Sequence, residues 1–215
     1  MKITVLGSAG RFGSFATEYF RSHRHAVISL DINASQSNIA ESLISSDISL
    51  LATPLKAAMT YVEEYSDLTK FVEVCSVKTP FKKYSGKIVS IHPFFGPASY
   101  QDPSKRKIAL IDDICPANSE FTVKRIFPDC SIVSMTSKEH DRMMASEQGL
   151  PYLISLYFMK YSRSIHPFTG SGRMLKEILQ LSSKESLGVM KDSIKENPEL
   201  PILLSEMNDF LAELV

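Results

Sequence analysis

Two short segments carry side chains able to do acid–base chemistry on a small molecule. Cys75-Ser76-Val77-Lys78-Thr79 ends one apolar run, and His92-Pro93-Phe94-Phe95-Gly96-Pro97 ends the next. An imidazole titrates near neutrality, so a fixed histidine can take the proton of a hydroxyl group at physiological pH. His92 is held by the proline that follows it. Ser76 could hydrogen-bond the same hydroxyl, and Lys78 could attract an anionic substrate. Together they suit oxidation of an alcohol, in which the hydroxyl gives up its proton as hydride leaves the same carbon. Each also has a plainer reading: His92 as a loop histidine satisfied by backbone groups, and Lys78 as a solvated surface cation.

Hydride needs an acceptor, and the N-terminus supplies the signature of one. Gly7-Ser-Ala-Gly10-Arg-Phe-Gly13 is a GxxGxxG variant of the dinucleotide fingerprint. Its first glycine permits a tight turn, its second lets backbone approach a pyrophosphate, and its third allows helix and strand to pack closely. An apolar strand pattern precedes it, and an amphipathic helix begins within it at Arg11 and Phe12. Asp31 ends the second strand, where a carboxylate would accept hydrogen bonds from the adenosine ribose and repel a 2′-phosphate. No arginine occurs between Ile32 and Ser37. The cofactor expected is therefore NAD, held by Gly7, Gly10, Arg11, Phe12, Gly13, Asp31, Thr53 and Pro54. Arg11 reads equally well as an ordinary cation at a helix start.

These residues must be positioned by a sheet. Short apolar runs alternate with helical stretches, the pattern of parallel strands joined by crossover helices. Strands are expected at Lys2–Leu6, Ala26–Leu30, Ile48–Ala52, Phe71–Cys75, Ile88–Ile91, Ile108–Ile111 and Ser131–Met135. Helices are expected at Phe12–His23, from Pro54 to about Glu64, and near Asn118–Phe127. Ligands of such sheets bind beyond the carboxyl ends of the strands, where Ser76 and His92 fall. After residue 136 no strand pattern remains. A long helix is expected from Ser137 to about Arg163, then a turn at Ser164–Gly172. Shorter helices follow at about Met174–Ser182, Ser186–Glu196 and Ile202–Leu214. The expected fold is α/β, a Rossmann-type doubly wound, mainly parallel sheet over residues 1–136, followed by a small all-helical domain over 137–215.

Composition narrows the partners. The 215 residues are 44% hydrophobic and 22% charged, with 24 basic and 24 acidic side chains. That balance, without a basic stripe, argues against nucleic acid. Cys75, Cys115 and Cys130 are scattered, which suits a reducing compartment better than a disulfide framework or a zinc site. No apolar stretch is long enough for a membrane span or a signal peptide. A cytoplasmic protein is expected, with no metal and no membrane partner. A helical domain this small is expected to pair with a second copy, giving a homodimer.

In this setting the two active segments become more specific. SVK followed by HPFFGP, together with Glu139-His-Asp141 through Gln148-Gly-Leu150, resembles the prephenate and arogenate dehydrogenase family over about residues 1–155. The resemblance implies NAD-dependent oxidative decarboxylation of prephenate to 4-hydroxyphenylpyruvate, a step of tyrosine biosynthesis. Prephenate is the first choice of substrate and arogenate the second. His92 would then accept the hydroxyl proton with support from Ser76. Lys78, Gln148, Tyr152 and Arg173 would bind substrate, Tyr152 standing where the family carries a second histidine. The family's substrate-binding arginine aligns near Gln180, with Arg173 close by.

Two rivals share these residues. Another NAD-dependent hydroxyacid dehydrogenase would keep His92 but turn over a non-aromatic substrate. A non-catalytic NAD-sensing Rossmann protein would bind the cofactor alone. His140 and Asp141 read as helix-capping or hinge residues, with a cleft-facing role as the alternative. His23 and His25 read as solvated, and His166 as a loop packing element. Met143, Met144, Tyr157, Phe158 and Tyr161 read as helix packing or a subunit interface.

Overall fold

A computed structural model describes residues 1–161, 166–180 and 185–214. The chain divides into two compact units, Met1–Ser137 and Lys138–Val215.

The first unit is built on seven strands: β1 (Lys2–Leu6), β2 (Ala26–Leu30), β3 (Ile48–Leu51), β4 (Phe71–Glu73), β5 (Val89–Pro93), β6 (Lys107–Ile111) and β7 (Ser131–Met135). Their order in the sheet is β2-β1-β3-β4-β5-β6-β7. Four helices connect them: α1 (Arg11–Ser22), α2 (Gln36–Ile44), α3 (Leu55–Tyr65) and α4 (Ser119–Ile126). β1 to β5 are mutually parallel, and β6 pairs with β5 in antiparallel register, with His92 opposite Ala109. The cause lies in the connection. A parallel return needs a crossover of helix length, whereas Pro93 reaches Lys107 through a loop whose regular structure is a short 3₁₀ turn at Pro103–Lys105.

Alternation along the strands sends side chains to both faces of the sheet. One face packs Ile3, Val5, Leu50, Val89 and Ile91 under Phe20 of α1 and Val123 and Ile126 of α4. The other packs Leu6, Leu51 and Phe71 under Leu43 of α2 and Ala58 and Val62 of α3. Helix α2 has no counterpart among the expected elements. Ser35 caps it by accepting from the Asn38 amide, and Ile39 and Leu43 form its buried stripe. That stripe is two residues wide, too narrow to stand out by periodicity.

The second unit is helical throughout its described residues. It begins with α5 (Ser137–Met144), passes through a π-helical turn at Ala145–Gly149 and continues as α6 (Leu150–Lys160). The single long helix expected here is thus interrupted. Pro151, in the first turn of α6, lacks the amide needed to continue a regular ladder. Then come α7 (Gly170–Leu179), α8 (Leu187–Lys195) and α9 (Leu200–Leu214). The far end of the long helix expected to reach Arg163, the start of the turn at Ser164, and the end of the helix at Ser182 fall outside the described residues. No described helix is long and apolar enough to cross a membrane.

Candidate functional site

The crossover between β1 and β3 is where the connections turn to opposite sides of the sheet, the point at which such sheets open a crevice. Gly7 follows β1 there with φ +83°, a left-handed conformation that side chains disfavour. A Cβ on Gly7 would lie 2.4 Å from the Ala52 carbonyl oxygen, and one on Gly13 would lie 2.0 Å from the Gly7 carbonyl oxygen. Neither can be accommodated by rotating a side chain, because both obstacles are backbone. The loop therefore stays low, and α1 starts directly against the strand end.

Gly10 is the N-cap of α1, with no side-chain cap and no acidic residue in the first turn. An uncapped helix N-terminus beside a glycine loop favours an anion. Asp31 closes the far side. Its carboxylate accepts the Ala9 amide at 2.7 Å and the Ile32 amide at 2.8 Å, so it orients the glycine loop. Thr53, after β3, has a hydroxyl oxygen that is buried without a hydrogen-bond partner, and its Cγ2 lies against Gly7. Phe12 is half-buried against Phe15, Arg11 and Pro54 are exposed, and Pro54 precedes α3. The glycine cradle, the uncapped helix, Asp31 and the orphaned Thr53 hydroxyl fit a dinucleotide. Among the described residues no group of His, Cys, Asp or Glu could hold a metal ion.

Further along the same sheet edge lie the segments that carry Ser76 and His92. β4 ends at Glu73 and β5 carries His92, which is 8% exposed and meets the Phe94 ring edge-on at 5.5 Å. The loop after His92 is anchored firmly. The Phe94 amide donates to the Lys107 carbonyl at 2.9 Å, and Phe95 is buried against Phe15 of α1 and Tyr100. The helix that offers its N-terminus to the cradle thus also supports the His92 loop. At the loop's far end, Asp129 accepts hydrogen bonds from Tyr19 and Tyr100 and an ion pair from Arg106 at 3.1 Å. Burial raises the Asp129 pKa, but those donors outweigh it and hold the carboxyl below its ordinary value. The Tyr100 hydroxyl is pushed up to about 12, by burial first and then by Asp129.

Lys78 differs from both expectations. It is neither a surface cation nor a group facing a cleft, because its side chain is fully buried. Its ammonium lies 2.8 Å from a Glu73 carboxylate oxygen and donates to the Ile91 carbonyl at 2.6 Å. An unpaired charge cannot be buried at tolerable cost, and Glu73 is the acid that permits it. Glu73 and Ser90 were not recognised from the sequence. The available signal was an acid inside an apolar run, five residues before a lysine. Ser76 is half-buried in the same loop, and the Cys75 amide donates to Glu73 at 2.8 Å.

In the second unit the π turn carries Gln148. Its amide donates to the Tyr152 hydroxyl at 3.3 Å and its carbonyl oxygen accepts from Ser193 at 3.4 Å. π turns recur at functional sites. Tyr152 is buried, while Arg173 is exposed in the first turn of α7. His140 and Asp141 are not caps. Both are fully buried in α5, 2.9 Å apart, and Asn197 donates to the Asp141 carbonyl. The cap of α5 comes instead from Asp113, which accepts the Ser137 amide at 2.7 Å and its hydroxyl at 2.8 Å.

No protein-family model matches the chain, and no curated protein matches it. Solved structures do. The chain is similar to prephenate dehydrogenase from Aquifex aeolicus in complex with hydroxyphenyl propionate and NAD+, with a TM-score of 0.79 at 16% identity, covering 100% of this chain and 89% of that one. It is similar to Synechocystis arogenate dehydrogenase, with a TM-score of 0.60 at 20% identity and the same coverage. A second Aquifex aeolicus prephenate dehydrogenase structure matches with a TM-score of 0.63 at 17% identity, over 96% of this chain and 89% of that one. The chain thus has the fold of these dehydrogenases over its whole length.

Proposed function

We propose that this chain is an NAD-dependent dehydrogenase that oxidatively decarboxylates prephenate, with arogenate as the second choice. The observation that carries the reading is the alignment of two features on one sheet edge. The glycine cradle with Asp31 lies beyond β1 and β2, and Ser76 and His92 lie beyond and within β4 and β5. The likeness to prephenate and arogenate dehydrogenase structures supports the substrate class.

NAD+, held by Gly7, Gly10, Gly13, Asp31 and Thr53, supplies the hydride acceptor when bound. His92 accepts the proton of the ring hydroxyl, with Ser76 hydrogen-bonding the same oxygen, which assists hydride departure from that carbon. The ring carboxylate then leaves as CO2 as the ring becomes aromatic. The proton held on His92 returns to the phenolate oxygen, so none is gained or lost overall. Positioning of the reacting carbon over the nicotinamide supplies much of the acceleration. In this reading Gln148, Tyr152 and Arg173 meet the substrate carboxylates. A second copy of the chain pairs through the apolar faces of the helical unit. A cytoplasmic setting would suit Cys75, Cys115 and Cys130, none of which is in a disulfide.

The test is absorbance at 340 nm with purified protein, prephenate and NAD+, with arogenate, a simple 2-hydroxy acid and NADP+ in parallel. Signal with prephenate and NAD+ is expected. Signal only with the hydroxy acid would move the substrate class. Silence throughout, in protein that still binds NAD+, would overturn the catalytic reading in favour of a sensor.

A further inference from the structure

We propose that Lys78 and Glu73 form a buried tether that sets the position of the His92 imidazole, making Lys78 a positioning residue rather than a substrate ligand. This rests on the reading of His92 as the proton acceptor. The backbone ladder between β4 and β5 ends at the pair Glu73 and Ser90. Beyond that pair, side chains join the loop carrying Ser76 to the strand carrying His92. Glu73 accepts from the Cys75 amide on the loop side and from the Ser90 hydroxyl on the β5 side. Lys78 completes the bridge by donating to the Ile91 carbonyl at 2.6 Å. That carbonyl belongs to the peptide joining Ile91 to His92, so the ammonium holds the plane from which the His92 backbone departs.

Fold stability does not account for such a pair. A buried ion pair is commonly replaced by apolar residues of similar volume without loss of stability. What apolar residues cannot reproduce is a directed donor to the Ile91 carbonyl. A proton acceptor works only when held to within a fraction of an ångström of its productive geometry. The tether supplies that restraint and couples the two strand ends that present Ser76 and His92.

The experiment compares the wild type with the double variant Glu73→Met/Lys78→Met and with Glu73→Gln/Lys78→Met, all with NAD+ present. The double variant removes both charges together but leaves the Cys75 amide, the Ser90 hydroxyl and the Ile91 carbonyl without these partners, so it is expected to melt somewhat lower while keeping its NAD+ affinity. Two readouts follow. The imidazole NMR signal of His92, assigned by its loss in His92→Asn, is expected to change its shift and its titration midpoint. Turnover of prephenate is expected to fall about 10-fold or more in kcat with little change in KM. A raised KM with unchanged kcat would instead mark Lys78 as a substrate ligand and overturn the proposal. An unchanged imidazole signal in the folded variants would overturn it as well. Should the double variant not fold, Glu73→Gln/Lys78→Met, which keeps an acceptor for the Cys75 amide and leaves no buried charge unpaired, carries the same two readouts. If the wild type turns over no alcohol, the dehydrogenase reading fails, while the imidazole signal still decides the tether.

Discussion

In the proposed reading, His92 carries the proton transfer. It is nearly buried within β5, opposite Ala109, and the loop beyond it is pinned by Phe95. Replacing the ring alone leaves the Phe95 anchor on α1, and so the glycine cradle, in place. In His92→Asn, prephenate turnover should fall by on the order of 10²-fold or more. NAD+ affinity, followed by quenching of protein fluorescence or by calorimetry, should stay near the wild-type value. Near-normal turnover would remove His92 from the mechanism. His92 and Asp31 were legible in the sequence because each sits within a few residues of its defining neighbours, a proline or a strand end. Lys78 was not, because its meaning depends on Glu73 and Ile91, which the fold brings to it from two strands.

At the level of elements, the loop from Pro93 to Lys107 replaces a crossover helix and is held by the Asp129 cluster. Asp129 has a depressed pKa in the folded chain because hydrogen bonds from Tyr100 and Tyr19 and the Arg106 charge outweigh burial. A group with a lowered folded pKa contributes stability above its unfolded value, and that stability is lost as pH falls through the folded value. The window therefore lies below about pH 4, the ordinary range for aspartate. Urea denaturation at pH 7 and at pH 3 should show the wild type losing more stability on acidification than Asp129→Asn. Equal losses would show that the cluster does not report through this carboxylate. The tight loop also explains a limit of sequence reading. Period and propensity located β6, but its direction was set by the missing crossover.

For the molecule as a whole, the helical unit poses the open question. Helix α9 buries Leu200 and leaves Met207, Phe210, Leu211 and Leu214 exposed along one side. Tyr157 and Met159 on α6, Tyr161 just after it, and Met174 on α7 are exposed as well. Scattered apolar residues are ordinary on a surface, but a helix apolar along its exposed side marks an interaction site. A second copy of the chain is the occupant proposed here. Light scattering coupled to gel filtration should give twice the 24.0 kDa chain mass. Phe210→Asp/Leu211→Asp should shift it to the monomer, with the fold intact by circular dichroism. A wild-type monomer at micromolar concentration would remove the dimer from the reading.

The sequence by itself determined the features that depend on neighbours along the chain. These are the strand–glycine–helix opening, the acid after β2, the placing of Ser76 and His92 near strand ends, and the change from alternating strands to helices after residue 136. Tertiary structure alone decided what depends on residues distant in sequence. It made β6 antiparallel, broke the long helix into a π turn, and buried His140 and Asp141 as a pair rather than a cap. It also turned Lys78 inward onto Glu73 and Ile91. The reasons differ: the short connection before Lys107 turned β6, Pro151 interrupted the helix, and burial decided the other two. Burial converts a polar or charged side chain from a solvated group into one that must find its partner, and the fold supplies that partner.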